Sequence, residues 1–280
     1  MTTLFELAQF YANSFGGITQ STWAVAEAAN VAIKEVYVSK VEVDQLLRDR
    51  MSTYETRLLS GEPLQYVLGH WSFRNLDLIC DRRALIPRPE TELLVERVFE
   101  RLSKQANLLG LDLGTGTGAI GLSLASSSYF ECVFLGDVSL DALSLAFANL
   151  VRNTEQIKAK VEFGRGEWFE ALPGMANKNL DVVVSNPPYI PTRMLSQLDA
   201  RVKAEPKLAL DGGSNGMSCL IEILNKARRY LRSGGLLACE IGEEQGEFLS
   251  GYAADLQYRQ IEIIKDYSGK PRYLFARASS

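Results

Sequence analysis

Asn186-Pro187-Pro188-Tyr189 follows the run Leu180-Asp181-Val182-Val183-Val184-Ser185 without a break. The β-branched run suits a strand covered on both faces of a parallel sheet. The prolines stop it, because neither offers an N–H to a ladder and each holds the residue before it in extended geometry. Such a stiff corner can point the Asn186 carboxamide and the Pro187 carbonyl the same way, out of the carboxyl end of the strand. Two acceptors then face a planar –NH2 group, and the ring of Tyr189 can cover its flat face. Asn186, Pro187 and Tyr189 are thus candidate catalytic residues, and Asn186 to Tyr189 a candidate substrate site. An amide and the amino group of a base both fit, and so does an ordinary proline-terminated strand followed by a turn.

A second stretch decides among these. Leu108 to Leu113 reads as a strand, and Asp112-Leu113-Gly114-Thr115-Gly116-Thr117-Gly118-Ala119-Ile120 turns it into a helix. Glycine there permits a tight turn and close approach of a ligand. Gly114-x-Gly116-x-x-Ala119 satisfies a dinucleotide fingerprint, with Asp137, after the strand Cys132 to Gly136, as the acid for a ribose diol. S-adenosylmethionine carries the same diol, but a sulfonium cation where a dinucleotide has a pyrophosphate, and Asp112 is a nearby carboxylate for that end. With Asn186-Pro187-Pro188-Tyr189 two strands later, the order favours the methyl donor. Trp168, after a short strand Val161 to Phe163, is placed either in the core or over an adenine ring, with Glu167 near the exocyclic amine.

The elements that must carry these residues alternate strand and helix from residue 108 onward, which predicts a doubly wound α/β sheet of about seven strands. Helices are expected at Leu140 to Val151 behind a Ser139 cap, Met217 to Leu231 and Glu244 to Ala254; a strand is expected at Gly235 to Ile241. Ile261 to Asp266 and Tyr273 to Arg277 form a hairpin, so an otherwise parallel sheet should end with one antiparallel strand. Leu210-Asp211-Gly212-Gly213 is a loop able to close over the site. Ile86-Pro87-Arg88-Pro89-Glu90-Thr91-Glu92 starts a helix, and an arginine held between two prolines suggests a ligand-lining role. Residues 1–70 read as a helical bundle, with capping boxes at Thr3-x-x-Glu6 and Ser39-x-x-Glu42. Alternating residues from Gln65 to Leu85 suggest a β-hairpin linker, bounded at 71–85, ahead of a domain at 86–280.

The 280 residues carry a net charge of −4 and 46% hydrophobic residues, which excludes a global positive field for nucleic acid or an anionic membrane. Cys80, Cys132, Cys219 and Cys239 are scattered and His70 is the sole histidine, so neither a metal site nor a disulfide framework is expected and a reducing cytoplasm is the expected home. No run approaches a membrane span. His70 receives no chemical role.

Taken together, the glycine loop, Asp137, Trp168 and Asn186-Pro187-Pro188-Tyr189 resemble the S-adenosylmethionine-dependent methyltransferases of Rossmann-like fold. The Ile86 to Glu92 stretch and the helical N-terminus resemble, more narrowly, the bacterial release-factor glutamine methyltransferases, the HemK or PrmC family. The resemblance implies a seven-stranded methyltransferase sheet behind a small helical domain that recruits substrate. It implies methyl transfer from S-adenosylmethionine, giving S-adenosylhomocysteine, to the Gly-Gly-Gln glutamine of peptide chain release factors 1 and 2. A monomer is expected, and the acidic balance speaks against a stable nucleic-acid partner. Gly114, Thr115, Gly116, Thr117, Gly118, Asp137, Trp168 and Asn186 would bind the methyl donor. Asp commonly precedes the Trp in this family, whereas Glu167 stands here. A ribosomal-protein glutamine, a nucleic-acid adenine and a nicotinamide oxidoreductase are the rival readings.

Overall fold

The computed structural model describes residues 3–38, 42–102, 106–172 and 179–279. It divides into two compact units, one of Met1–His70 with Asp199–Ala204, the other of Trp71–Leu198 with Glu205–Ser280.

The first unit holds α1 (Leu4–Phe15), α2 (Ile18–Ala29), α3 (Ile33–Val38), α4 (Gln45–Leu59) and α5 (Leu64–Leu68). The box at Thr3 forms: its hydroxyl accepts from Glu6 N at 3.1 Å, and Glu6 Oε2 accepts from Thr3 N at 2.8 Å. Ser39 lies outside the described residues, and α4 starts instead at Asp44, whose carboxylate accepts from Leu47 N at 2.8 Å. Leu4, Leu7 and Phe15 pack with Val25 and with Leu47, Met51 and Leu58 to form the core. His70 pairs with Glu27 at 2.8 Å.

The second unit takes in β1 (His70–Phe73) from Trp71 on and β2 (Leu76–Ile79), which make the hairpin, joined by Arg74 in the left-handed region. The hairpin is shorter than the alternation suggested. Gln65 to Leu68 is helical, because Pro63 starts and Gly69 ends that turn. Then come α6 (Pro89–Arg101), β3 (Leu108–Leu113), α7 (Ala119–Ala125), β4 (Phe130–Asp137), α8 (Leu140–Arg152), β5 (Lys160–Arg165) and β6 (Leu180–Ser185). After α9 (Ala200–Lys203), which belongs to the first unit, follow α10 (Ser218–Ala227), β7 (Leu231–Glu240), α11 (Gly246–Asp255), β8 (Arg259–Lys265) and β9 (Pro271–Arg277).

Among the described residues these strands form a seven-stranded sheet in the order β5-β4-β3-β6-β7-β9-β8. All pairings are parallel except those of β9, which runs against both neighbours. The antiparallel strand is therefore inside the sheet. Val182 and Val184 face α6 and α7, while Val183 faces α10 and α11, and all three are fully buried. Burial of such side chains stabilises by about 1.5–3 kcal/mol each, and because their period is two, a one-residue slip would reverse every face. The register is thus fixed, and with it the place where β6 ends.

α8 also closes the open edge of β2 with side chains. Asn149 Oδ1 accepts from Ile79 N at 2.6 Å and its Nδ2 donates to Ile79 O at 3.2 Å; Asn153 does the same for Asp77, at 3.0 and 2.9 Å. Four helical residues rise about 6 Å and two strand residues about 6.6 Å, so amides at i and i+4 can stand in for a neighbouring strand.

Candidate active site

Leu113 lies opposite Gly136 on β4 and Ser185 on β6, and Ser185 lies opposite Cys239 on β7. One step further on, four strands end in a row at Gly114, Asp137, Asn186 and Glu240. The chain leaves β3 toward β4 and β5 on one side and returns through β6 on the other, which makes this row the switch point where open α/β sheets bind ligands. A cleft of about 440 Å³ opens there.

Its floor is the glycine turn. Gly114, Gly116 and Gly118 have φ of 70°, 55° and 84°, a region that only glycine adopts readily. Beneath it Asp112 is fully buried, with Oδ2 accepting from the Thr115 hydroxyl at 2.6 Å and from Gly121 N at 2.9 Å, while Oδ1 has no protein partner. Burial pushes its carboxyl up to about 7. Asp112 is absent from the cleft wall; it braces the turn from below rather than facing a ligand's cationic end.

Asp137 does line the cleft. Gly116 N donates to its Oδ2 at 3.0 Å and Ser139 N to its Oδ1 at 2.9 Å. Burial raises its pKa, opposed by those N–H groups. Each oxygen keeps a lone pair, which suits the two hydroxyls of a ribose diol. Trp168 opens a single 3-10 turn, Trp168–Ala171, with φ of 51°, and its indole edges onto the glycine turn: a Cβ on Gly114 would stand 3.8 Å from it. Glu167 shares the wall.

On the far side Asn186 Nδ2 donates to the Thr91 hydroxyl at 3.1 Å, Thr91 donates to Glu240 Oε2 at 2.8 Å, and the Tyr189 hydroxyl donates to Glu240 Oε1 at 3.1 Å. The Ser185 hydroxyl ties the end of β6 to Leu113 O at 2.7 Å. The corner is pinned from outside by Gln245, whose Nε2 donates to Tyr189 O at 3.1 Å and Gly216 O at 2.9 Å. Residues 210 to 213 lie alongside: Ile190 N donates to Leu210 O at 3.1 Å and Gly212 N to Ile190 O at 2.9 Å. Asp211 from this loop reaches the cleft wall, as does Arg88, which is paired with Glu205. Glu205 is buried and also accepts from Ile86 N at 2.8 Å.

Gly114, Thr115, Gly116, Thr117, Asp137, Trp168, Asn186 and Pro188 therefore line one cleft. Gly118, Pro187 and Tyr189 are not on its wall: Gly118 caps α7, Pro187 is buried, and the Tyr189 ring packs on the apolar face under β7 with its hydroxyl on Glu240. Thr91, Glu240 and Glu205 have no role in the site as read from the sequence, where Thr91 stands only as one residue of the Ile86 to Glu92 stretch. The cleft also suits a cation-bearing ligand. Asp137, Glu167, Asp211 and Glu222 line it, while its two arginines are already paired, Arg83 with Asp81 and Arg88 with Glu205.

Residues 89–203 match the family model described as methyltransferase small domain. The chain is 41% identical over 221 residues to the release factor glutamine methyltransferase of Moorella thermoacetica, spanning 79% of this chain and 76% of that one. It is 40% identical over 233 residues to the protein of the same name from Aliivibrio fischeri, spanning 83% and 80%. A methyltransferase structure from Pyrococcus furiosus shares the fold, with a TM-score of 0.54 at 20% identity over 82% of this chain and 100% of that one. With the row of strand ends arranged as described and relatives of this closeness along four-fifths of its length, the chain belongs to the release factor glutamine methyltransferase family.

Proposed function

We propose that this chain transfers a methyl group from S-adenosylmethionine to the side-chain nitrogen of the glutamine in the Gly-Gly-Gln motif of peptide chain release factors 1 and 2, leaving S-adenosylhomocysteine. The observation that carries this reading is the position of Asn186, on the cleft wall one residue beyond β6 and across from the glycine turn. Asp137 would hold the ribose diol of the donor, Trp168 and Glu167 its adenine, and the acidic wall its cationic sulfonium. When bound, the donor supplies an electrophilic methyl carbon.

The remaining work falls to the protein. An amide nitrogen shares its lone pair with its carbonyl, and its proton is too weakly acidic for a side chain to remove first. Accepting both N–H groups, at Asn186 Oδ1 and at the Pro187 carbonyl, would draw the nitrogen out of conjugation and aim its lone pair; Pro187 is buried off the cleft wall, so only its backbone oxygen would take part. In-line attack then requires the reacting atoms to be held about 3–3.5 Å apart, so orientation supplies much of the acceleration. The proton leaves after transfer.

The helical N-terminal unit recruits the release factor. Phe10, Tyr37 and Val38 stand exposed on it, apolar side chains of the kind that partners cover. The chain acts as a monomer, and its acidic balance opposes binding to nucleic acid.

Transfer of labelled methyl to purified release factor tests this, beside a release factor with its motif glutamine changed to alanine, a ribosomal-protein fraction, and bulk RNA and DNA. Label on the intact release factor alone is expected. Label on a ribosomal protein or on nucleic acid would keep the Asn186 chemistry and replace the substrate.

A further inference from the structure

The amide of Asn186 has an accepting and a donating end, and the residue itself does not decide which faces the cleft. Its neighbours do. Thr91 sits in the first turn of α6, almost fully buried, with its hydroxyl oxygen 3.1 Å from Asn186 Nδ2 and 2.8 Å from Glu240 Oε2. A hydroxyl has one proton to give, and a carboxylate can only accept. Thr91 therefore donates to Glu240 and can offer Asn186 only a lone pair, which selects the –NH2 end and leaves the amide oxygen for the cleft. The second Glu240 oxygen accepts from the Tyr189 hydroxyl at 3.1 Å.

We propose that Glu240 and Thr91 are positioning residues, in which one buried carboxylate orients the Asn186 amide through the Thr91 hydroxyl and anchors Tyr189 directly. This rests on the reading of Asn186 as the acceptor for a substrate –NH2 group. The carboxylate form is needed, because a protonated Glu240 could donate to Thr91, free the Thr91 proton for Asn186 and turn the amide around. Arg272, Glu90, Tyr189 and Tyr273 are the titratable groups facing Glu240; Arg272 favours the ionised form, Glu90 opposes it, and Tyr273 donates instead to Glu90 O at 2.8 Å. Burial pushes Glu240 up to about 7. Turnover should then fall as the pH drops below that value.

The test measures kcat and the KM for S-adenosylmethionine with the full chain and release factor, in wild type, Thr91→Val, Thr91→Ser and Glu240→Gln, from pH 6 to 9. Loss of one orienting hydrogen bond corresponds to about tenfold in rate. Thr91→Val is expected to lose about that factor in kcat with KM unchanged, and Thr91→Ser, which keeps the hydroxyl, to restore most of it. Wild-type kcat in Thr91→Val, or a serine variant as impaired as the valine one, would overturn the proposal. Glu240→Gln is expected to lower kcat and abolish the acid limb near pH 7; an acid limb unchanged from wild type would refute it even if Thr91→Val failed to fold. Absence of label with wild-type protein would sink the substrate reading instead. The relay would then be read from exchange of the Asn186 side-chain amide protons by NMR, slowed in wild type relative to Thr91→Val or Glu240→Gln, with equal exchange refuting it.

Discussion

Gly212→Ala should damage catalysis without touching a ligand. Gly212 is not in the left-handed region, so alanine is compatible with its backbone and the effect comes from contacts alone. A Cβ there would stand 2.7 Å from Pro188 O, 2.8 Å from Gly216 O and 2.8 Å from Tyr189 Cα. All three are backbone atoms, which cannot rotate away. To reach the 3.4 Å at which such contacts become ordinary, the corner must give by about 0.6–0.7 Å. A catalytic group tolerates displacement of about 0.5 Å, and about 1 Å can cost a hundredfold, so kcat should fall roughly tenfold to a hundredfold. Overpacking should also cost about 1–3 kcal/mol of stability. Gly114 and Asp137 stand at the ends of β3 and β4 and Trp168 opens the 3-10 turn after β5, all away from this loop, so donor affinity by calorimetry should hold. Gly251→Ala is the control: it sits in α11 with nothing within 4 Å of its Cβ, and should be neutral in rate and stabilising by up to about 1 kcal/mol. A folded Gly212→Ala protein with wild-type kcat in the label-transfer assay would refute the claim that this loop holds the corner in place.

Asn186→Ala should lose most turnover while its melting temperature stays near that of wild type; transfer at the wild-type rate would sink the two-acceptor mechanism. Asp137→Ala should weaken donor binding by an order of magnitude or more by calorimetry, since it removes the diol's partner and the acceptor for Gly116 N; unchanged affinity would contradict that role. Asp112→Asn should flatten the pH dependence of stability. The folded-state pKa of Asp112 is raised from 3.8 to about 7, so its contribution is fully present below the lower value and is lost as the pH rises toward 7. Chemical denaturation should find the variant gaining on wild type between pH 4 and 8, and parallel curves would refute this.

The parts of the site legible in the sequence were those dictated by backbone chemistry. Positive φ at Gly114, Gly116 and Gly118 demands glycine, and Asp137 and Asn186 each stand at the end of a recognisable apolar strand. The pairing of Thr91 with Glu240 was not legible, since 149 residues separate them; neither was that of Arg88 with Glu205, 117 apart. Periodicity says which residues are buried, but not which buried polar groups meet. The same limit hid Asn149 and Asn153, which read as ordinary helix positions until β2 lies beside them. Alternation around Gln65 pointed to a strand, but five residues between Pro63 and Gly69 have room for only one helical turn, and the proline and glycine set its ends. The final hairpin was visible, whereas the insertion of its second strand between β7 and β8 was not, because turn chemistry fixes a strand's partner but not its place in a sheet.

That insertion has a consequence for how the molecule is made. During synthesis β8 emerges before β9, yet among the described residues β8 pairs with β9 alone. Until β9 arrives, β7 offers the edge that carries Leu236 to Glu240 with its N–H and C=O groups open, and an open apolar edge invites pairing with another chain. β9 then zips two ladders at once. A nascent chain with β7 clear of the ribosome and β9 still inside it would therefore display a methyltransferase sheet with its stickiest edge uncovered, and such nascent chains are the ones that chaperones should be found holding.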